Sequence, residues 1–219
     1  MTPDVTALIV AAGSGLRLGS DGPKALVSLA GRPLFEWSLE ACHEAARIGP
    51  VVITVPPGHE HGFEGEDRIL VGGGATRALS VAAGLEAVET ELVLVHDAAR
   101  PLVTPALIDE SISALEGSPG LDAVIVAAQM TDTVKRVDRD GRIEQTLDRT
   151  VLRAAQTPQV CRTAALRAAI ERGDPAGATD DASLIEANGG SVAVIGGPPG
   201  NIKVTVPSDL ALAEFLLGR

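Results

Sequence analysis

A chain of 219 residues has the length of one ordinary α/β domain, and with 45% hydrophobic residues it can bury a sizeable core. That core is aliphatic: aromatic residues make up 2% and Tyr is absent, which argues against stacking nucleic-acid bases on aromatic platforms. A formal net charge of -11 argues against a nucleic-acid backbone as partner, while leaving room for small anions wherever a few cations converge.

In chain order, Thr6 to Ala12 is a continuous apolar run that reads as a strand buried on both faces. A Gly-rich loop follows from Gly13 to Gly22. Helical spacing spans Pro33 to Ile48, and strands are predicted at Val51–Val55 and Arg68–Val71, each closed by Pro or Gly. A helix is expected from about Ala75 to Val88, and a fourth buried strand over Leu92–His96. Thr104-Pro105 opens a helix that ends near Gly117, because Thr can cap it and Pro suits its first turn. Asp122–Ala128 is a fifth strand. This alternation predicts a doubly wound, mostly parallel Rossmann-like α/β sheet, with residues 1–219 as a single domain.

The pattern then changes to polar–apolar alternation over Thr133–Val137 and Ile143–Leu147, around the turn Asp138-Arg139-Asp140-Gly141. We read this as an inserted β-hairpin arm at about residues 130–155. A lone two-stranded hairpin is marginal in water, so a second copy of the chain is the expected support. Helices are predicted over Thr163–Arg172 and Thr179–Asn188, the latter capped by Thr179 with Asp180 and Asp181 at its positive end. Strands at Val192–Ile195 and Ile202–Thr205 precede a final helix, Pro207–Leu217. Cys42 and Cys161 fit neither a disulfide framework nor a zinc site. No basic apolar leader and no membrane-length apolar run is present, so a cytoplasmic, membrane-free protein is expected.

The first loop carries the clearest chemistry. Ala11-Ala12-Gly13-Ser14-Gly15-Leu16-Arg17 and then Pro23-Lys24 combine small residues, which let a flat ring and phosphates approach the backbone, with two cations. The loop follows a parallel strand, where α/β folds bind ligands. A dinucleotide fingerprint would need a third Gly where Leu18 stands, and the P-loop pattern is missing. Only three of the 18 basic residues are lysines: Lys24, Lys135 and Lys203. In so Arg-biased a chain, a retained Lys suggests that a compact ammonium is needed.

This loop resembles the signature of nucleotidyltransferases that activate sugars and polyols. Val95-His96-Asp97-Ala98-Ala99-Arg100-Pro101, Asp132-Thr133-Val134-Lys135, Gln156-Thr157-Pro158-Gln159, Thr179-Asp180-Asp181-Ala182-Ser183 and Asn201-Ile202-Lys203-Val204-Thr205 match one of their families. By these segments, spread in order over essentially the whole chain, it resembles the 2-C-methyl-D-erythritol 4-phosphate cytidylyltransferases of non-mevalonate isoprenoid biosynthesis. The resemblance implies that Ala11, Ala12, Gly13, Gly15, Gly74, Ala75 and Ser80 bind CTP. It implies catalytic roles for Arg17, Lys24, Arg149 and Lys203, and polyol-phosphate contacts for Arg100, Thr133 and Thr157.

Asp97 closes a buried strand, where a carboxylate can hold magnesium against ligand phosphates, a role the resemblance also implies. The resemblance further implies a homodimer whose arm reaches the partner's site. Lys135 reads equally as a solvated face, and His59-x-His61 as a plain surface loop. Ala25, Ala75 and Cys161 depart from the family's usual residues. A ribitol 5-phosphate cytidylyltransferase and a catalytically idle nucleotide-binding homologue are the alternatives.

Overall fold

The structure, a computed structural model, describes residues 4–13, 15, 18, 22–175 and 177–218. Its frame is built from β1 (Val5–Val10), α1 (Leu34–Glu44), β4 (Ile48–Val55), β5 (Ile69–Gly72), α2 (Arg77–Leu85), β6 (Leu92–Asp97), α3 (Pro105–Glu116) and β7 (Ala123–Gln129). After these come β10 (Arg153–Arg162), α4 (Thr163–Arg172), α5 (Asp181–Ala187), β11 (Val192–Gly196) and α6 (Pro207–Leu217). Two small hairpins, β2–β3 (Ser28–Leu29 with Arg32–Pro33) and β8–β9 (Lys135–Val137 with Ile143–Thr146), stand outside the main sheet.

Among the described residues the sheet has seven strands in the order β11-β7-β10-β6-β1-β4-β5. The strands run parallel except β10, which pairs antiparallel with β6 on one side and β7 on the other. Helices cover both faces because alternate residues of the central strands point to opposite sides. Val5, Ala7 and Ile9 of β1, with Val51, Ile53 and Val55 of β4, pack toward α1 and α3. Leu8 and Val52 pack toward α2 and the α4–α5 pair. Phe35 and Phe63, with ring centroids 4.7 Å apart, fill the first layer.

Several expectations are corrected. The first helix ends at Glu44 rather than Ile48, because Ile48 already belongs to β4. The second starts at Arg77, not Ala75, since the Thr76 side chain caps it by accepting from Leu79 N–H at 3.2 Å. In α5 the N-cap is Asp180, not Thr179: its carboxylate accepts from Ser183 N–H at 2.9 Å and the Ser183 hydroxyl accepts in return from Asp180 N–H. Residues 202–205 form no strand; the Val204 N–H donates to the Ala99 carbonyl, outside the sheet, at 2.8 Å. β10, in the middle of the sheet, and the β2–β3 hairpin were not expected.

The site lies at the carboxyl ends of β1, β4 and β6, which the strand register brings level: Val10 pairs with Thr54 on one side and Asp97 on the other. Backbone bonds then hold the three following loops together. Ala11 N–H donates to Thr54 O at 2.9 Å, Gly73 N–H to Val55 O at 2.8 Å, and Ala98 N–H to Val10 O at 3.1 Å.

Candidate active site

These loops enclose a cavity of about 540 Å³. Its wall is made from Ala11, Ala12, Gly13 and Gly15 of the first loop, Gly74 and Ala75 of the second, Ser80 of α2, and Asp97. Lys24 and Lys203 bring cations to it. Most of the residues predicted from sequence to bind nucleotide or carry out transfer therefore share one cavity. Arg17 lies outside the described residues.

A second cavity of about 180 Å³ adjoins the first, and Arg77, Asp97 and Lys203 line both. Arg100 and Thr157 line only the smaller one. Thr133 and Arg149 line neither; both are exposed on or beside the hairpin, where the Arg149 guanidinium donates to the Thr131 carbonyl.

Asp97 is the hub. It is buried at the end of β6, and each of its oxygens accepts from a cation. Arg77 Nε donates to Oδ1 at 2.8 Å and Lys203 Nζ to Oδ2 at 2.6 Å. Burial alone would push the Asp97 carboxyl up, but the charges of Arg77 and Lys203 outweigh it and hold the group well below the usual carboxylate range. Asp97 is therefore ionised at neutral pH.

A buried network fixes the backbone beneath it. The Thr157 hydroxyl accepts from Asp97 N–H at 3.1 Å and lies 3.0 Å from His96 Nδ1. His96 Nε2 lies 3.2 Å from the Arg100 carbonyl. A carbonyl can only accept, so Nε2 carries the proton, and Thr157 donates to Nδ1. Burial pulls the His96 pKa down to about 4, so the ring is neutral at neutral pH. Arg100 donates to the carbonyls of Asn201 at 2.8 Å and Ala155 at 3.3 Å. Its buried Nε has no hydrogen-bond partner among the described residues.

Ser80 braces the second loop. Its hydroxyl accepts from Gly74 N–H at 3.1 Å and donates to the Thr76 carbonyl at 2.9 Å. It thus shapes the cavity wall it lines. The link from Asp97 through Arg77 to Asp181 was not foreseen. Arg77 falls in the helix expected from about Ala75 and Asp181 at the positive end of another, and nothing in local spacing joins residues so far apart.

As to a metal, no group of three or more His, Cys, Asp or Glu side chains converges among the described residues. Any divalent cation here would depend on Asp97 and on ligand phosphates. That donor set fits magnesium, which usually takes one or two carboxylates and fills its other positions with phosphate oxygens and water. Each Asp97 oxygen accepts one N–H and keeps a second lone pair.

A doubly wound sheet, a Gly-rich loop over a cavity that Lys24 lines, and Lys203 paired with a strand-end carboxylate define the class: an α/β nucleotidyltransferase. Comparison with known proteins narrows it. The family described as IspD, 2-C-methyl-D-erythritol 4-phosphate cytidylyltransferase, matches residues 5–219. A relative of that name from Frankia casuarinae is 45% identical over all of this chain and 83% of its own length. One from Synechococcus is 43% identical over 96% of each. The crystal structure of 4-diphosphocytidyl-2C-methyl-D-erythritol synthase from Anaerococcus prevotii superposes with a TM-score of 0.84 at 30% identity, over 99% of this chain and 96% of that one. The corresponding enzyme from Thermus thermophilus gives 0.80 at 35% identity, over 97% and 98%. The chain belongs to the 2-C-methyl-D-erythritol 4-phosphate cytidylyltransferase family.

Proposed function

We propose that this enzyme transfers the cytidylyl group of CTP to 2-C-methyl-D-erythritol 4-phosphate, giving 4-diphosphocytidyl-2-C-methyl-D-erythritol and pyrophosphate for isoprenoid precursor synthesis. A phosphate oxygen of the polyol substrate forms a bond to the α-phosphorus of CTP, and the bond from that phosphorus to the bridging oxygen of the β-phosphate breaks. The nucleophile is already anionic near neutral pH, so no general base is required. The obstacle is repulsion between a phosphate and a triphosphate, and the protein's task is alignment and charge stabilisation.

The observation that carries this reading is the Asp97–Lys203 pair on the wall shared by the two cavities. CTP suits the larger one, whose small residues admit a flat ring and whose Lys24 would meet the phosphates, with Arg17 the second proposed cation. The polyol phosphate suits the smaller one, which Arg100 and Lys203 line with positive charge. Lys203, common to both, would neutralise charge as the two phosphates meet. Thr157 supports the site by holding the Asp97 amide; its hydroxyl already donates to His96 and accepts from that amide. Magnesium, held by Asp97 and phosphate oxygens, would supply charge neutralisation on the triphosphate.

The enzyme acts as a homodimer in this account. Val137, Ile143 and Val151 on and near the hairpin are exposed apolar residues, which supports packing against a second copy. Thr133 and Arg149 would then contact the partner's polyol phosphate. No helix among the described residues is long and apolar enough to cross a membrane, and the two cysteines are free and buried, as suits a cytoplasmic enzyme. The test is product identification by mass spectrometry after incubation with CTP, magnesium and 2-C-methyl-D-erythritol 4-phosphate. The diphosphocytidyl product is expected; its absence with a folded enzyme would refute the reading.

A further inference from the structure

Asp181 touches neither cavity, yet it is joined to the centre of the site. It opens α5 and is 0% exposed. Burial pushes its carboxyl up, and the Arg77 charge offsets part of that. Both of its oxygens are taken by the terminal nitrogens of Arg77, at 3.0 and 2.9 Å. This bidentate pairing consumes the forked end of the guanidinium and fixes its plane. The nitrogen left over is Nε, which donates to Asp97 Oδ1 at 2.8 Å.

Asp181 is itself anchored to the sheet. The Asp181 and Ala182 amides both donate to Gln159 Oε1 at 3.1 Å. Gln159 belongs to β10, the strand paired with the one that carries Asp97. The path from Asp97 through Arg77, Asp181 and Gln159 thus returns to the sheet beside its starting point. Formal charge balances along it: Asp97 and Asp181 against Arg77 and Lys203. Without the Asp181 charge, two cations would face one buried carboxylate, and the freed fork of Arg77 would border a cavity built for phosphates.

We infer that Asp181 is a positioning residue for the transfer reaction: acting through Arg77, it fixes the Asp97 carboxylate and keeps the Arg77 fork away from substrate. The inference rests on the cytidylyltransferase reading. Catalysis by fixed charges depends on their placement before the reaction, and a misplacement of about 1 Å can lower the rate roughly a hundredfold.

The test compares wild type, Asp181→Asn and the double variant Arg77→Gln/Asp181→Asn. The readouts are melting temperature, kcat, and KM for CTP by pyrophosphate release. Asp181→Asn keeps the shape and removes the charge. It is expected to melt above the assay temperature, with kcat lowered about ten- to hundredfold and KM for CTP within about threefold of wild type or lower. A residue serving only the fold would lower the melting temperature and leave kcat per folded molecule unchanged, which would overturn the inference. If Asp181→Asn does not fold because Arg77 is left buried without its counter-ion, the double variant removes both charges and carries the test. It is expected to fold with the same order of kcat loss, and wild-type kcat in it would overturn the inference. Wild-type protein silent with both substrates would instead refute the parent reading.

Discussion

Gly73 and Ala12, on different loops at the carboxyl ends of the strands, approach so closely that a β-carbon on Gly73 would fall 2.3 Å from the Ala12 methyl carbon and 3.3 Å from the Val55 carbonyl oxygen. Neither contact is the far end of a flexible side chain, so the loops would have to part. Gly73→Ala is expected to raise KM for CTP about tenfold, the equivalent of overpacking by ~1–2 kcal/mol, and Ala12→Gly in the same chain should return most of it. Steady-state kinetics of the single and double variants decide. An unchanged KM in Gly73→Ala would mean the loops do not set the nucleotide cavity.

Lys24→Ala and Lys203→Ala should each fold and each lose roughly a hundredfold in kcat, about 3 kcal/mol of transition-state stabilisation. Lys203→Ala also leaves Asp97 Oδ2 without the ammonium now 2.6 Å away. Pyrophosphate release at saturating CTP is the measurement, and full turnover in either variant would remove that lysine from the mechanism.

The site was legible in the sequence where it follows one strand end at a time. Ala11 to Gly15 and Asp97 follow continuous apolar runs that read as buried strands, and Gly74 to Ser80 follows the short strand ended by Gly72 to Gly74. β10 was missed because Arg153-Ala154-Ala155-Gln156-Thr157-Pro158-Gln159 has neither an apolar run nor clean alternation. Its pairing with β7 shifts register between Ala155 and Gln159, where Pro158, having no N–H, is accommodated. The N-cap of α5 was shifted because Thr179, Asp180 and Asp181 can all cap; tertiary partners assigned Asp180 to the cap and drew Asp181 inward to Arg77. No local rule pairs Arg77 with Asp181.

Arg47 is a structural counterpart to the cations that line the cavities. Its buried guanidinium bonds Asp4 beside β1 at 2.7 Å and Glu116 at the end of α3 at 2.6 Å. The hydrogen bond from Arg47 is the main reason Glu116 titrates below its ordinary value. A carboxylate depressed in the folded state adds stability above its unfolded pKa and loses it as pH falls through the folded value. Wild type should therefore lose stability on acidification below about pH 5, and Arg47→Met should be less stable at pH 7 with a flatter acid limb. Denaturant melts between pH 3 and 7 test this; parallel curves for the two proteins would contradict it.

If the arm completes the partner's site, two inactive variants should complement each other. Lys24→Ala damages the cavity of its own subunit, while Arg149→Ala would damage the neighbour's. A heterodimer of the two has one intact site. Mixing under subunit exchange should restore up to about a quarter of wild-type activity, the share of intact sites expected from statistical pairing. Mixtures no more active than their components would confine Arg149 to its own subunit.

The reaction and its polyol substrate are tested by pyrophosphate release from CTP and magnesium, with 2-C-methyl-D-erythritol 4-phosphate and ribitol 5-phosphate side by side. Release with the methylerythritol substrate and none above background with the ribitol one is the predicted result. Release with ribitol 5-phosphate alone, or silence with both, would contradict it.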